Sequence, residues 1–173
     1  MLRDLSSRLI RALTTPSFVR GVQLAVRAGA AASLSLAIAK FFDLQFPIYA
    51  FIAAVIVTDL SPLQTRQLGL RRLVATVVGA VCGAVLSPLL PPGPLAIGLS
   101  VVIAMVLCDV LGAPEGAKVS GYICGLVVFY QSSEPWSYAF FRFMETGLGV
   151  AVAWLISYVP KLIRIEEPGD TKT

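Results

Sequence analysis

The chain alternates between long apolar stretches and short polar or proline-rich connections. Six stretches resemble membrane-spanning helices, since about 20 apolar residues cross a bilayer in helical form. We predict transmembrane helices TM1 to TM6 at residues 21–41, 46–60, 73–90, 95–111, 117–130 and 136–159. The run Pro91-Pro92-Gly93-Pro94 is a strong helix breaker between TM3 and TM4. The pattern therefore predicts an all-α, polytopic membrane protein with six transmembrane helices.

Polar segments flank this six-helix domain of residues 21–159. Residues 1–20 combine several arginines with leucines at helical spacing. The leucines are Leu2, Leu5, Leu9 and Leu13. A basic amphipathic helix of this kind is typical of segments that lie on an anionic membrane surface. Residues 160–173 are predicted to form a polar cytoplasmic tail.

Composition excludes several other classes of protein. Hydrophobic residues make up 57% of the 173 and charged residues 14%, against about 45–50% and about 25% in soluble domains. The chain has no histidine, which removes Ser-His-Asp catalysis and His-containing metal sites. Its three cysteines, Cys82, Cys108 and Cys124, lie in apolar stretches and are predicted to be small buried hydrophobes. We therefore predict a protein that is not an enzyme, holds no cofactor or metal, and, with a net charge of only +4, binds no nucleic acid.

Basic residues alternate between the two ends of the predicted helices. They concentrate before TM1, between TM2 and TM3, between TM4 and TM5, and after TM6. The residues concerned are Arg3, Arg8, Arg11, Arg20, Arg66, Arg71, Arg72, Lys118, Lys161, Arg164 and Lys172. By the positive-inside rule both termini are predicted to be cytoplasmic. Trp136 and Tyr138 are expected at the outer interface, where amphipathic rings are favoured.

A weak internal repeat relates two arginine-led segments of the chain. When Arg72 is superposed on Arg142, positions 72–87 align with positions 142–157. The identities are Arg72 with Arg142, Thr76 with Thr146, Gly79 with Gly149, and Ser87 with Ser157. Because each unit holds three helices, the two units, about 21–90 and 95–159, would have inverted topology, as in many transporters. The alternative is chance similarity between helices rich in small residues.

TM2 and TM5 occupy matching positions in the two units and are unusually short. TM2 carries Pro47, and TM5 carries Gly121 and Gly125. Short or Gly/Pro-interrupted segments at corresponding positions indicate a transport site. The alternative is that their boundaries are drawn too tightly. The pairs Gly79 with Gly83 and Gly149 with Ala153 predict close helix packing rather than ligand contact.

Three charged residues lie well inside the predicted helices, several residues from either end. Arg27 is in TM1, and Arg142 and Glu145 share one face of TM6. Ionisable groups in a bilayer are costly unless they are paired or face a water-filled cavity, so we predict a functional role. The alternative for Arg142 and Glu145 is a structural ion pair, with Arg142 reaching toward the interface. Arg27 is expected either to bind an anion or to pair with a carboxylate of another helix.

Polar residues near the helix ends add further candidates. Asp59 and Asp109 are predicted at the cytoplasmic mouth, where they would neutralise nearby basic residues or carry charge. Thr76 and Thr146 lie one turn from Arg72 and Arg142. Each hydroxyl would either donate to a carboxylate ligand or bond back to its own helix.

Three short motifs resemble the fusaric-acid-resistance-like superfamily, which includes bacterial aromatic acid exporters and plant aluminium-activated malate transporters. The first is the stretch from Phe46 to Thr58 with the polar loop that follows to Gly69, and the second runs from Arg71 to Gly79. The third is Arg142-Phe-Met-Glu145-Thr146-Gly-Leu-Gly149. The resemblance covers about residues 20–160. It implies a six-helix unit that moves anions, with basic residues along the pathway, in a bacterial inner membrane.

The resemblance indicates Arg27, Arg72, Lys118 and Arg142 as pathway residues. Larger exporters of the superfamily join two six-helix halves and a cytoplasmic domain, so a half-size unit is expected to act as a homodimer. The leading hypothesis is transport of anions, chiefly organic carboxylates, with Glu145 as the proton or charge-pairing site. A passive anion channel and a non-transporting membrane scaffold are the alternatives.

Overall fold

The computed structural model describes residues 15–91, 93–130 and 134–159. This part of the chain forms α1 (Pro16–Phe41), α2 (Ile48–Val57), α3 (Pro62–Leu86), α4 (Pro94–Val110), α5 (Ala117–Tyr130) and α6 (Pro135–Ser157). A short 3₁₀ helix, Pro114–Gly116, precedes α5. The all-helical prediction is confirmed. Most of the predicted surface helix and the whole predicted tail, residues 160–173, lie outside the described residues.

Proline sets the first residue of four helices. α1, α3, α4 and α6 each begin with proline, which suits this position because the first backbone N–H of a helix has no partner inside it. The prediction that TM3 begins at residue 73 is wrong, since α3 begins at Pro62. The polar segment between them contains leucine, glutamine and arginine, which favour helix as strongly as apolar residues do. Hydropathy marked only the apolar part of a longer helix.

The interior of the bundle is built from small side chains. Buried positions of α2 and α3 are mostly alanine, glycine and threonine, including Ala50, Ala54, Thr76 and Gly79. Large apolar residues point outward instead. On α3 these include Val74, Val77, Val81 and Val85. This distribution suits a lipid environment, where small residues let helices approach and apolar side chains face the acyl chains.

Helices α3 and α6 pack against each other at the centre. The short helix α2 packs on α6, and α5 packs on α3. A Cβ atom on Gly79 would overlap the backbone carbonyl oxygen of Ser120, and one on Gly149 would overlap that of Ala50. The shift that superposes Gly79 on Gly149 also superposes Ala50 on Ser120. We call these two contacts, α3 with α5 and α6 with α2, the glycine seams. Each depends on a glycine that lets the backbone of a short helix approach closely.

The six helices differ in their reach across a bilayer. α1, α3 and α6 are long and apolar enough to cross a membrane. α2 has 10 residues and α5 has 14, so they extend about 15 Å and about 21 Å. The hydrocarbon core is about 30 Å thick. The expectation that the second and fifth segments are short is confirmed, and α2 is even shorter than predicted.

The seam between α2 and α6 gives a testable prediction. We expect Gly149→Ala to destabilise the protein by about 1–3 kcal/mol, because overpacking forces the backbones apart. Gly147→Ala is the matched control on the same helix, since its Cβ would meet only Leu73 Cδ2 at 4.0 Å. Thermal melting in detergent measures the difference. Equal melting temperatures for the two variants would contradict the overlap at Gly149.

Candidate functional site

Two buried arginines occupy the facing surfaces of the central helices. Arg72 is 7% exposed and Arg142 is 3% exposed. Arg72 is the eleventh residue of α3, counting from Pro62, and Arg142 the eighth of α6, counting from Pro135. At 1.5 Å per residue they lie about 15 Å and about 11 Å from the starts of their helices. Since α3 and α6 are predicted to start at opposite sides, both guanidinium groups approach the middle of the bundle.

Tyrosine rings surround both guanidinium groups. Arg142 Cζ lies 3.1 Å from the ring centroid of Tyr49 on α2. Tyr122 on α5 lies between the arginines, with its centroid 5.4 Å from Arg72 Cζ and 5.7 Å from Arg142 Cζ. Arg72 Nη2 also donates a hydrogen bond to the Tyr122 hydroxyl. The aromatic faces stabilise the cations by cation–π interaction without neutralising their charge.

Glu145 lies beside this pair and is fully buried. Its Oε1 accepts a hydrogen bond from the backbone N–H of Phe46, at 2.5 Å. No ion pair joins Arg142 to Glu145, both of which are described. The two side chains make no direct contact, and a structural pairing of their charges stays an alternative. The carboxylate is held by the backbone that leads into α2, which leaves the guanidinium of Arg142 to the tyrosines.

Four buried polar atoms of these side chains lack a hydrogen-bond partner in the described protein. They are Arg72 Nε, Arg142 Nε, Arg142 Nη1 and Glu145 Oε2. A buried polar group without a partner costs about 1–3 kcal/mol, and a charged one costs more. Three of the four atoms are donors on cations. Their arrangement suits an anionic ligand whose oxygens accept hydrogen bonds.

An aromatic cluster, consisting of Phe46, Tyr49, Tyr130 and Tyr138, closes the predicted outer side of the arginines. Phe46 lies 5.2 Å from Tyr138 and 5.9 Å from Tyr49, centroid to centroid. The hydroxyls of Tyr49 and Tyr138 are 3.3 Å apart. Trp136 is exposed, as expected for an interfacial ring, but Tyr138 is only 5% exposed. Tyr138 packs inward on Phe46 near the start of α6, and its location at the outer interface stays a prediction.

An inner cavity opens on the opposite, predicted cytoplasmic side of Arg72. Its volume is about 110 Å³, and Arg72, Leu68, Gly116 and Val119 are among its lining residues. Arg71 and Glu115 also line it and form an ion pair across it. Their side chains are 52% and 61% exposed. A site centred on Arg72 is thus close to a water-accessible space on this side.

Arg27 and Asp59 lie away from this site. The guanidinium of Arg27 donates to the carbonyl oxygens of Leu60 and Val159, at 3.0 Å and 2.5 Å. Arg27 therefore ties together the chain ends that follow α2 and α6. Asp59 Oδ1 accepts the backbone N–H of Ser61 at 3.0 Å, just before α3. Neither side chain contacts Arg72 or Arg142.

The remaining predicted residues divide between the surface and the helix interior. Lys118 and Asp109 are both exposed. The Thr76 hydroxyl donates to the carbonyl oxygen of Arg72 at 2.8 Å, which is the bond back to its own helix that the sequence left open. Thr146 is buried beside Glu145 in sequence. The sequence analysis did not identify Tyr49 and Tyr122 as site residues. The feature that could have indicated them is a hydroxyl-bearing side chain inside an apolar stretch.

Comparison with known proteins supplies a family match. The sequence model described as aromatic acid exporter family member 1 matches residues 22–159. This range contains every element of the site, from Phe46 in the chain before α2 to Glu145 on α6. Searches of the curated proteins and of the solved structures found no significant match.

Proposed function

Because the chain belongs to the aromatic acid exporter family, we propose that it transports organic carboxylates, with an aromatic acid as the preferred substrate. It is a multi-pass membrane protein, with α1, α3 and α6 each long enough to cross the bilayer. The observation that carries the proposal is the pair of buried arginines whose Nε and Nη1 donors lack partners. A carboxylate supplies the missing acceptors and offsets the charge.

The aromatic side chains around the arginines favour a substrate whose carboxylate is attached to an aromatic ring. Tyr49 and Tyr122 present ring faces next to the guanidinium groups. A substrate ring would pack against them in offset or edge-to-face geometry, which favours aromatic over aliphatic acids. We assign Arg72 and Arg142 to the carboxylate and Glu145 to a proton that accompanies transport. Thr76 and Thr146 flank the site, and Arg27, Lys118, Asp59 and Asp109 remain candidates for the approach to it.

We also propose that the six helices form two inverted repeats of three. Two observations support this. Each short helix packs on the long helix of the other half, and one shift along the chain relates the glycine seam of Gly79 with Ser120 to that of Gly149 with Ala50. Such an arrangement places a site between the halves, near the bilayer midplane.

For orientation we propose cytoplasmic termini in a bacterial inner membrane. Arg66 and Arg71 near the start of α3 and Lys118 at the start of α5 lie at one predicted side, which suits the positive-inside rule. A homodimer is proposed from the two-halved architecture of the larger exporters that the sequence resembles.

Flux into proteoliposomes tests the function. We expect purified protein to accelerate uptake of ionised benzoate-type acids above protein-free vesicles, with aliphatic carboxylates slower and halides slowest. The Arg72→Ala and Arg142→Ala double variant is the control, since it removes both cations. Halide currents larger than carboxylate flux would instead indicate an anion channel. Uptake equal to that of protein-free vesicles for every solute would indicate a scaffold.

A further inference from the structure

The internal repeat pairs residues on the two sides of the site, and these pairs are not limited to the glycines. Arg72 corresponds to Arg142, one at the inner cavity and the other beside the aromatic cluster. Gly83 approaches Val127, and Ala153 packs in one cluster with Val57. The shift that superposes Gly83 on Ala153 also superposes Val57 on Val127. The correspondence therefore continues along both helix seams.

The same shift carries the lining of the inner cavity onto the aromatic cluster. Three lining residues, Leu68, Gly116 and Val119, correspond to Tyr138, Phe46 and Tyr49. On the inner side these positions hold one glycine and two aliphatic side chains, and a cavity of about 110 Å³ remains. On the outer side they hold three aromatic rings, with the Phe46 centroid 5.2 Å and 5.9 Å from the other two. The rings occupy the space that is empty on the other side.

We infer that the structure is the inward-open state of a transporter and that Phe46, Tyr49 and Tyr138 form its outer gate. This inference rests on the proposed function, and it adds which side is closed and by which residues. In the opposite state the rings separate, and the inner cavity closes around Leu68, Gly116 and Val119. The exchange follows from the rocking of one inverted repeat against the other.

The two sides differ in how firmly they are closed. Among the three rings, Tyr138 is buried in one apolar cluster with Val127, and Phe46 packs against that cluster. Tyr49 is partly buried. The inner side is crossed by the ion pair of Arg71 with Glu115, in which both side chains are more than half exposed. Exposed ion pairs contribute little to stability, because water screens them. A carboxylate therefore reaches Arg72 from the cytoplasmic side while the rings prevent access from outside.

Cysteine labelling in membrane vesicles tests this assignment without relying on transport. Leu68→Cys probes the inner cavity, and Val127→Cys probes the residue that the rings cover. The reagent is an anionic, membrane-impermeant methanethiosulfonate, applied to inside-out and to right-side-out vesicles. The wild type is the background control, since Cys82, Cys108 and Cys124 are buried.

We expect Leu68→Cys to be labelled from the cytoplasmic side only and Val127→Cys from neither side. Adding Phe46→Ala to Val127→Cys is expected to permit labelling from the outside. Tyr138→Ala serves in its place if the first double variant fails to elute as a monodisperse peak. Labelling of Val127→Cys from outside with all rings present, or no cytoplasmic labelling of Leu68→Cys, would overturn the inference. The expected labelling in a protein that moves no carboxylate would overturn the proposed function and leave the gate intact.

Discussion

Arg142→Ala is expected to lower carboxylate flux by about 10- to 100-fold. The substitution removes donors that have no protein partner and that would bind the substrate carboxylate. A hydrogen bond to a charged group is worth about 1.5–3 kcal/mol, and each 1.4 kcal/mol corresponds to about tenfold in affinity. The effect is measured as initial uptake in proteoliposomes at equal amounts of protein.

Two further variants separate charge from geometry at this position. Arg142→Lys keeps the charge but lacks the planar, five-donor guanidinium, so we expect intermediate flux. Arg66→Ala is the matched control, because Arg66 is exposed on α3 and its loss should leave uptake unchanged. Wild-type uptake by Arg142→Ala, with an unchanged melting temperature, would remove Arg142 from the site.

Glu145→Gln is expected to abolish the response of transport to a proton gradient. The amide oxygen still accepts the N–H of Phe46, which Glu145 Oε1 accepts in the wild type, so the chain before α2 stays in place. The side chain no longer binds or releases a proton. Substrate exchange without a gradient should therefore continue, while acceleration by an imposed pH gradient is lost. Both are read from the same vesicles, with and without the gradient.

Glu145→Ala shows what the hydrogen bond contributes. It leaves the partly buried Phe46 N–H without this partner, which costs up to about 3 kcal/mol, so we expect a lower melting temperature than for Glu145→Gln. Glu134→Gln is the control for loss of a carboxylate, since Glu134 is exposed just before α6. A Glu145→Gln protein that still responds fully to the gradient would exclude this residue as the proton site.

Much of the helical architecture could be predicted from the apolar pattern. The fifth apolar stretch was predicted at 117–130, and α5 occupies the same residues. The start of α3 at Pro62 could not be predicted in this way, because hydropathy does not distinguish a polar helix turn from a loop. Arg142 and Glu145 were identified because charge inside an apolar stretch is costly. Their lack of an ion pair depends on where α2 and its preceding residues lie, and this tertiary placement is invisible in TM6 alone.

The tyrosines show the same limit more clearly. Tyr49 and Tyr122 are on the two short helices, and nothing near them in sequence indicates an arginine partner. They meet Arg142 only because Gly79 and Gly149 admit the backbones of α5 and α2 so closely. The contact is a product of packing between distant segments. The internal repeat identified the glycines and therefore the close helix contacts, but it did not identify the tyrosine rings.

The position at which α2 begins has an electrostatic consequence. A helix carries about half a positive charge at its N-terminus, and α2 begins at Ile48, just after the Phe46 amide that binds Glu145. The backbone dipoles of α2 thus add a third source of positive potential to those of Arg72 and Arg142, and Glu145 occupies the place where an incoming anion would feel it. A substrate carboxylate and an ionised Glu145 are therefore stabilised by the same positive potential and repel each other. Protonation of Glu145 removes this repulsion, so protonation of Glu145 and binding of a carboxylate favour each other.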